Sequence, residues 1–438
     1  MKFREVLLVI VLILGGLVLY QVKTGHWNLD GDWGWANDIG FGQEVVTEET
    51  RTIEAPLPPA IEIQNGQGRV EVRGGDQDFA QLTFKKVVWR RKKEEAQEIA
   101  GQIKYTLTTA ADKLTLSTNR DEFPKKNFET TFVLTVPKSM VVSVTNAYGF
   151  VRVEGVREAT VRNRNGEVYA SNVDGPCVLE TSYDDLEARE IKGPCRIVNK
   201  NGSVLAASVT GDLIVETSYA RIRVEDIGGK ADLRASNTSV EALRVAGAVT
   251  VETSYEKVTL ADVGPAKVVG HNMAVVAGKV RGDLEVRTSY ESVRVDGVEG
   301  RLLVDANNAA VTATGVAGPT ISVTTSYDNV SLTDFSAETT VVCRNGNVTL
   351  EPRDLKSALD VRNENGAIDL VWPSGEKARL EARSKGGEVK WGLSDRPDVD
   401  ETDGVSLVKA FSANAAAPLV FLSTTYDHIR IQEGGRRF

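Results

Sequence analysis

A tripeptide that returns at a fixed interval constrains the fold of this chain more than any other feature. Thr-Ser-Tyr occurs five times, and its tyrosines are Tyr183, Tyr219, Tyr255, Tyr290 and Tyr327. These tyrosines are 36, 36, 35 and 37 residues apart. Asparagines lie half an interval away, at Asn165, Asn201, Asn237, Asn272, Asn308 and Asn345. The repeat unit is therefore about 18 residues long, with Tyr and Asn alternating at one position.

Each unit has the pattern of two short strands. Before Tyr219, Leu213 and Val215 alternate with more polar residues, and Ile222 and Val224 do so after it. A period of two is typical of a β-strand with one apolar face. Two strands alone would expose that face, so the units are expected to stack. We predict an all-β chain folded as a parallel β-solenoid (β-helix), in which successive coils pair at about 4.8 Å.

Residues 1–23 have the pattern of a membrane signal. Lys2 and Arg4 precede an apolar run from Val6 to Tyr20, slightly short of the roughly 20 residues of a full span. Because no small-residue cleavage site follows, we predict an uncleaved transmembrane anchor in preference to a cleaved signal peptide. Lys23 is the one basic residue close behind the run. We therefore expect the amino end to stay in the cytoplasm and the rest to be exported.

The remaining chain divides by composition and period. Residues 24–50 are rich in Gly, Asp and Trp and are interpreted as a linker. Residues 51–140 are a β-rich lead-in, expected to cap the open edge of the first coil, and Arg90 to Ile103 within it has helical composition. Residues 141–391 carry the solenoid repeats. Residues 392–438 are interpreted as an insertion loop, which folds over an edge or protrudes, followed by a terminal coil.

Charge and motifs exclude several functions. The formal net charge of −9 and a pI of about 5.2 argue against nucleic acid as a partner. The three histidines, His26, His271 and His428, have no metal-ligand spacing, and no nucleophile elbow, phosphate loop or dinucleotide motif occurs. Some solenoids are polysaccharide lyases or hydrolases, but their clustered charges are not evident here. We predict a protein that is not an enzyme and has no metal or cofactor.

The tyrosine column is the candidate binding site. Tyr183, Tyr219, Tyr255, Tyr290 and Tyr327 would follow one edge of the solenoid, about 9.6 Å apart, where their rings and hydroxyls suit a glycan or a peptide. The alternative is that each ring wedges a corner and packs on its neighbouring coils. Regular spacing does not separate the two, since both require it.

Two cysteines occupy the same place in adjacent units. Cys177 and Cys195 each follow Gly-Pro. Neighbours in register lie about 4.8 Å apart, within the range that disulfides accept, and export would permit oxidation. Their alternative role is as small inward-facing apolar residues. Cys343 is expected to be a buried free thiol.

The chain resembles the bacterial putative-adhesin family, also called the toastrack domain, a β-strand-repeat family of unknown function. The resemblance is carried by three strand motifs and the repeated Asn-Gly-x-Val coils. The motifs are Ile61-Glu-Ile-Gln-Asn-Gly66, Gly68-Arg-Val-Glu-Val-Arg73 and Phe132-Val-Leu-Thr-Val-Pro137. It covers roughly residues 55–432 and implies an exported β-solenoid, with adhesion or a link to envelope stress. It supplies no functional residues.

Two functions from different classes remain open. The first is a non-catalytic, membrane-tethered, extracytoplasmic β-solenoid acting as a binding, adhesion or scaffold surface of the bacterial envelope, with a glycan or an envelope protein as partner. The second is an envelope-stress sensor or regulatory subunit. It would act through a membrane partner, because only Met1 to Glu5 would remain in the cytoplasm.

Overall fold

A computed structural model of the 438-residue chain describes residues 43–123, 127–411 and 415–434. The anchor predicted at residues 1–23 and most of the linker, to residue 42, lie outside these ranges. Within them, none of the helices has the length and hydrophobicity that a membrane span requires. The described chain forms two compact units. The smaller comprises residues 43–47, 86–103 and 127–128, and the larger comprises the rest.

The smaller unit contains helix α1 (Lys93–Gln102), which confirms the helix expected between Arg90 and Ile103. Its first turn carries Glu94 and Glu95, and negative charge at a helix amino end is favourable. Ala96, Ile99 and Ala100 form its buried face. The helix forms because its three apolar residues, at helical spacing, lie on one buried face while its charged residues remain in solvent.

Most of the described chain is β-strand. The strands before the regular coils are β1 (Gln43–Ile53), β2 (Ala60–Asn65), β3 (Val70–Gly75), β4 (Ala80–Arg90), β5 (Tyr105–Thr109), β6 (Lys113–Thr118) and β7 (Phe128–Pro137), with a 3₁₀ helix at Arg120–Glu122. The strands of the regular coils are β8 (Val141–Tyr148), β9 (Val151–Glu154), β10 (Glu158–Asn165), β11 (Val168–Val173), β12 (Cys177–Ser182), β13 (Leu186–Ile191), β14 (Cys195–Lys200), β15 (Val204–Val209), β16 (Leu213–Ser218), β17 (Arg221–Ile227), β18 (Ala231–Ser236), β19 (Ser239–Val245), β20 (Val249–Ser254), β21 (Val258–Val263), β22 (Ala266–His271), β23 (Val275–Val280), β24 (Leu284–Ser289), β25 (Val293–Val298), β26 (Leu302–Asn307), β27 (Val311–Val316), β28 (Thr320–Thr325), β29 (Val330–Phe335), β30 (Glu338–Cys343), β31 (Val348–Glu351), β32 (Leu359–Asn363) and β33 (Ile368–Trp372). The last strands are β34 (Arg379–Lys385), β35 (Val389–Gly392), β36 (Asp398–Thr402), β37 (Val405–Ala410), β38 (Leu419–Thr424) and β39 (Ile429–Glu433).

The predicted parallel β-solenoid is confirmed. Thirteen consecutive coils, from β8–β9 to β32–β33, each place an even-numbered strand in one parallel sheet (sheet 2) and an odd-numbered strand in another (sheet 1). In sheet 2, Cys177 pairs with Cys195 and Cys195 with Leu213, so one coil advances the register by 18 residues. Later coils vary, since Thr339 pairs with Leu359.

The core is a set of columns of inward-facing aliphatic residues. In sheet 1, Ala206, Val224, Ala242 and Leu260 pair in sequence from coil to coil, and each is at most 1% exposed. Small and large side chains thus alternate along this column. A small residue leaves room for the larger one on the next coil, which permits packing at crystal-like density.

Each regular sheet 1 strand from β11 to β29 bends at its fifth or sixth position, where the backbone is left-handed. Ser208, Asp226, Arg244 and Asp262 have φ of 58°, 57°, 51° and 55°. The bend turns the next residue inward, so that both Ala206 and Val209 are buried although they are three positions apart. Strict alternation therefore fails at this place in every such coil, and the sequence pattern does not reveal why.

A glycine in the turn from sheet 1 to sheet 2 permits close stacking of coils. A Cβ added to Gly211 would lie 2.6 Å from the carbonyl carbon of Gly193, and one added to Gly229 would lie 2.6 Å from that of Gly211. Such distances are far below van der Waals contact. Glycine is therefore required here because the backbones of successive coils approach so closely.

Both ends of the solenoid depart from chain order. The β2–β3 coil lies between β6–β7 and β8–β9. At the other end, β38–β39 lies between β32–β33 and β34–β35. The coil at residues 419–433, predicted as the terminal coil, is therefore last in the chain but is not the outermost coil of the solenoid. Likewise, the lead-in at 51–140 supplies two coils of the solenoid itself, β2–β3 and β6–β7. Insertion between two other coils gives the strands of β2–β3 hydrogen-bond partners on both sides.

Antiparallel strands cover the ends of sheet 2. β5 pairs with β6, and β37 pairs with β34 and with β36. The insertion expected after residue 392 therefore forms a hairpin on the sheet edge. All five residues of β36, whose sequence is DVDET, are exposed. Charged residues on an edge strand discourage pairing with another chain.

Replacement of core residues tests this packing. We expect Leu260→Ala to lower the free energy of unfolding by about 2–5 kcal/mol, because the stacked coils cannot collapse around the cavity. Ala242→Leu should cost about 1–3 kcal/mol through overpacking. The measurement is chemical denaturation followed by circular dichroism. Thr259→Ala, at a half-buried outward position of β21, is the control and should change the value by less than about 0.5 kcal/mol. Equal effects of all three variants would contradict the packing described.

Candidate functional site: the tyrosine edge

The corner from sheet 2 to sheet 1 has a left-handed backbone in most regular coils. The tyrosines at this corner have φ of 71° (Tyr183), 63° (Tyr219), 66° (Tyr255) and 65° (Tyr290). The asparagines have φ of 65° (Asn201), 50° (Asn237), 53° (Asn272) and 57° (Asn308). Asparagine adopts this conformation readily, whereas a bulky residue does so rarely. The backbone therefore does not account for tyrosine at alternate corners.

The tyrosine rings project into solvent. Tyr183, Tyr219, Tyr255, Tyr290 and Tyr327 are 68%, 69%, 65%, 66% and 65% exposed. Packing on neighbouring coils, the alternative considered from the sequence, thus involves the minor part of each residue's surface. Because the tyrosines occupy every second coil, adjacent rings start from backbone positions about 9.6 Å apart. We call this row of five tyrosines the tyrosine edge.

The threonine of each Thr-Ser-Tyr faces inward and secures the corner. Thr253 Oγ1 donates a hydrogen bond to the Thr238 carbonyl oxygen at 2.9 Å, and Thr288 Oγ1 donates to that of Met273 at 2.8 Å. Thr181, Thr217 and Thr325 make equivalent bonds. A carbonyl in a tight corner lacks a ladder partner, and the hydroxyl supplies one. The first residue of the tripeptide therefore has a structural role.

Asparagine takes over this inward role on other coils. Asn163 Nδ2 donates to the Gly149 carbonyl oxygen at 2.7 Å, Asn199 Nδ2 to that of Asp184 at 2.9 Å, and Asn363 Nδ2 to that of Gly346 at 2.7 Å. Thr181 and Asn199 are register partners. Elsewhere the register partners of the inward threonines are Ala235, Gly270 and Ala306. The inward position is therefore polar on every Thr-Ser-Tyr coil and on only some of the Asn coils.

Two further tyrosines stand at the same corner. Tyr148 pairs in register with Asn165 and is 48% exposed. Tyr426 is 71% exposed, and its backbone N–H donates to the Glu364 carbonyl oxygen. The sequence hypothesis omitted both from the site. For Tyr426 a signal existed, because Thr424-Thr-Tyr-Asp427 is nearly a copy of Thr325-Ser-Tyr-Asp328. For Tyr148 no tripeptide signal exists.

Two grooves run beside the tyrosine edge on sheet 2. The amino-end groove, of about 580 Å³, is lined by Asn65, Thr145, Asn146, Ala147, Arg162, Asn163, Arg164, Glu180, Thr181, Ser182, Arg196, Val198, Lys200 and Glu216. The carboxyl-end groove, of about 670 Å³, is lined by Asp305, Asn307, Thr324, Thr325, Ser326, Val342, Cys343, Arg344, Arg362, Asn363 and Glu364. Both include residues that immediately precede a corner, such as Ser182 and Ser326. A ligand on the tyrosine edge would have polar groups of sheet 2 within reach.

The cysteines lie inside the solenoid. Cys177 and Cys195 are register partners on β12 and β14, both are buried, and both thiols are free, as is that of buried Cys343. A hydrogen bond with Cys195, together with burial, raises the pKa of the Cys177 thiol. The Cys177–Cys195 disulfide stays a prediction of the sequence.

The remaining candidates for chemistry are scattered. His428 lies in the β38–β39 coil, where its Nδ1 is 2.6 Å from Asp427 Oδ1. His271 is the last residue of β22, and His26 lies outside the described residues. In the part of the chain that the structure describes, no group of three or more His, Cys, Asp or Glu side chains could hold a metal ion.

Comparison with known proteins adds little to this picture. No family model matches the chain, and no curated protein matches it. One crystal structure, of a putative cell adhesion protein from Clostridium sporogenes, aligns with 89% of this chain and 100% of its own length at 6% identity, with a TM-score of 0.18. Similarity at that level carries no argument about function. Membership of the toastrack family stays a prediction.

Substitutions at the corner separate the two roles within Thr-Ser-Tyr. Thr253→Val removes the donor to the buried Thr238 carbonyl, so we expect it to cost about 1–3 kcal/mol of unfolding free energy. Thr253→Ser, which keeps the hydroxyl, should recover most of that loss. Tyr255→Asn should change stability by no more than about 0.5 kcal/mol, because asparagine already occupies this corner on alternate coils. Thermal and chemical unfolding measure all three, and a larger loss for Tyr255→Asn than for Thr253→Val would assign the ring a packing role.

Proposed function

We propose that this chain is a non-catalytic binding protein that presents the tyrosine edge of a rigid β-solenoid to a partner outside the cytoplasm. The partner is an envelope glycan or protein, and residues 1–23 tether the chain to a membrane. The exported position and the tether rest on the sequence of residues 1–23. The binding role rests on the tyrosine edge.

One observation carries the binding role. Four of the five tyrosines, Tyr183, Tyr219, Tyr255 and Tyr290, occupy left-handed corners where asparagine meets the backbone requirement better. About two thirds of each of the five residues is exposed. Neither backbone geometry nor burial therefore explains tyrosine at these positions. Tyrosine combines a large apolar face with a hydroxyl and loses little conformational entropy on binding, which is why it is enriched at recognition surfaces.

The scaffold suits this role. The tyrosines stand on backbone fixed by neighbouring coils, since the Tyr219 N–H donates to the Ser236 carbonyl oxygen at 2.9 Å and the Tyr290 N–H to that of Asn307 at 2.9 Å. Rigid placement lowers the entropy cost of binding. A repeated contact also allows several weak sites to act together on a repetitive partner.

A triple substitution on the edge tests the binding role. We expect Tyr219→Asn, Tyr255→Asn and Tyr290→Asn combined to leave the unfolding transition nearly unchanged and to abolish retention on isolated bacterial envelopes and on a glycan array. Tyr169→Asn is the matched control, because Tyr169 lies on the outer face of β11, away from the corners. A folded triple variant that binds as well as the unchanged chain would refute the role given to the edge.

The tether has a separate test. In spheroplasts of the native host, a tag placed after Phe438 should be removed by added protease, and the chain should sediment with membranes at high salt. A chain lacking residues 1–23 should no longer do so. Protection of the tag in intact spheroplasts, with cleavage only after lysis, would show that the solenoid is not exported.

A further inference from the structure

We propose that the amino-end groove binds an anionic glycan, whose acidic groups contact Arg164 and Lys200 while a sugar ring stacks on Tyr183. This inference rests on the proposed function, because it gives the ligand class for the same edge. The acidic groups are carboxylates or phosphodiesters, since either would satisfy the same pair of cations.

The two cations form a column with a serine between them. Ser182 and Lys200 are register partners on β12 and β14. On the preceding coil, Arg162 of β10 pairs with Glu180 of β12. Two residues further along, this register places Arg164 beside Ser182. Each of the three directly precedes a corner residue. Arg164 and Lys200 are thus two coils apart, about 10 Å, and Tyr183 stands on the coil between them.

The amino-end groove has an excess of positive charge. Its lining includes four cationic and two acidic side chains. Arg162 Nε lies 3.5 Å from Glu180 Oε2, and Arg196 Nη2 lies 3.0 Å from Glu216 Oε1, so both acids are neutralised. Among the described residues, the remaining exposed cations, Arg164 and Lys200, lie within ion-pair distance of no carboxylate. On a chain with a net charge of −9, they create a local site for an anion.

The carboxyl-end groove lacks this excess. Arg344 precedes a corner, as Arg164 does, but its Nε lies 3.4 Å from Glu364 Oε2. Arg362 Nη2 lies 2.9 Å from Asp360 Oδ2. The two grooves therefore share geometry and differ in charge, which makes Arg344 a matched control for Arg164.

Two carboxylates next to Tyr183 would confine an anionic glycan to the sheet 2 side of the tyrosine edge. Asp184 and Asp185 follow Tyr183 toward sheet 1, and neither lines the amino-end groove. Asp185 Oδ1 accepts the Ser203 backbone N–H at 3.1 Å. Repulsion from these carboxylates would keep acidic groups on the sheet 2 side, where Arg164 and Lys200 are.

A glycan fits the site better than a nucleic acid does. An extended glycan turns the same face toward a surface at every second sugar, and the tyrosines likewise recur at every second coil. Sugar rings offer apolar faces to Tyr183 and hydroxyls to Ser182, while their acidic groups meet the two cations. Nucleic acid affinity depends on neutralising many phosphates, and two unpaired cations on an acidic chain supply little of it.

Calorimetric titration of the chain tests the inference with four probes: an oligogalacturonate, a neutral cello-oligosaccharide of equal length, a glycerol-phosphate oligomer and a single-stranded oligodeoxynucleotide. We expect an acidic probe, carboxylate or phosphodiester, to bind more tightly than the neutral sugar and to weaken as salt rises. Arg164→Ala with Lys200→Ala should raise its Kd roughly tenfold, and Tyr183→Asn should raise it as well. Arg344→Ala should leave the Kd unchanged.

Several results would overturn the inference. They are equal binding of the neutral and acidic sugars, an equal effect of Arg344→Ala and of the double variant, tighter binding of the oligodeoxynucleotide than of either acidic probe, and no binding of either acidic probe. If envelope retention still depends on the tyrosines in any of these cases, the proposed function stands and only the ligand class falls. If retention does not depend on them, both fall.

Discussion

Parallel backbone pairing between successive coils is the constraint on which the rest of this structure depends. Each strand finds its hydrogen-bond partners in the coils before and after it, so a residue at one place in a coil stands beside its counterpart in the next, as Cys177 stands beside Cys195. Every position becomes a column. Inside the solenoid each member of a column must fit its neighbours on the adjacent coils, because a poor fit leaves a cavity or an unpaired polar group.

The corner shows how one position can serve two purposes under that constraint. At many corners the backbone is left-handed, and an inward Thr or Asn hydrogen-bonds to a main-chain carbonyl of the preceding coil, as at Thr253 and Asn199. With the backbone secured from inside, the outward side chain of the corner residue is free to vary. The chain places asparagine and tyrosine there alternately, and the consequence is a row of separated aromatic rings rather than a continuous apolar strip.

Much of the architecture was predictable because the period reports it directly. The spacing of Tyr219 and Tyr255 indicates coil length, and the alternation at Leu213 and Val215 indicates strands whose apolar faces must be buried by stacking. Three features were not predictable. The left-handed residue in the sheet 1 strands, such as Asp226 or Arg244, has no shared side chain to mark it. The exchanged coil order at both ends depends on pairing between distant segments. The charge of a groove depends on which cations find partners, as Arg196 does and Lys200 does not.

The exchanged order of the end coils affects how the solenoid can come apart. A repeat array usually frays from its ends, one repeat at a time. Here the coil nearest the carboxyl terminus, β38–β39, is clamped between two coils that precede it in the chain, and the outermost coil, β34–β35, is tethered at both of its own ends. Pulling on the terminus therefore does not peel off the outermost layer. Release of the carboxyl terminus therefore requires the contacts of β38–β39 with both neighbouring coils to break together.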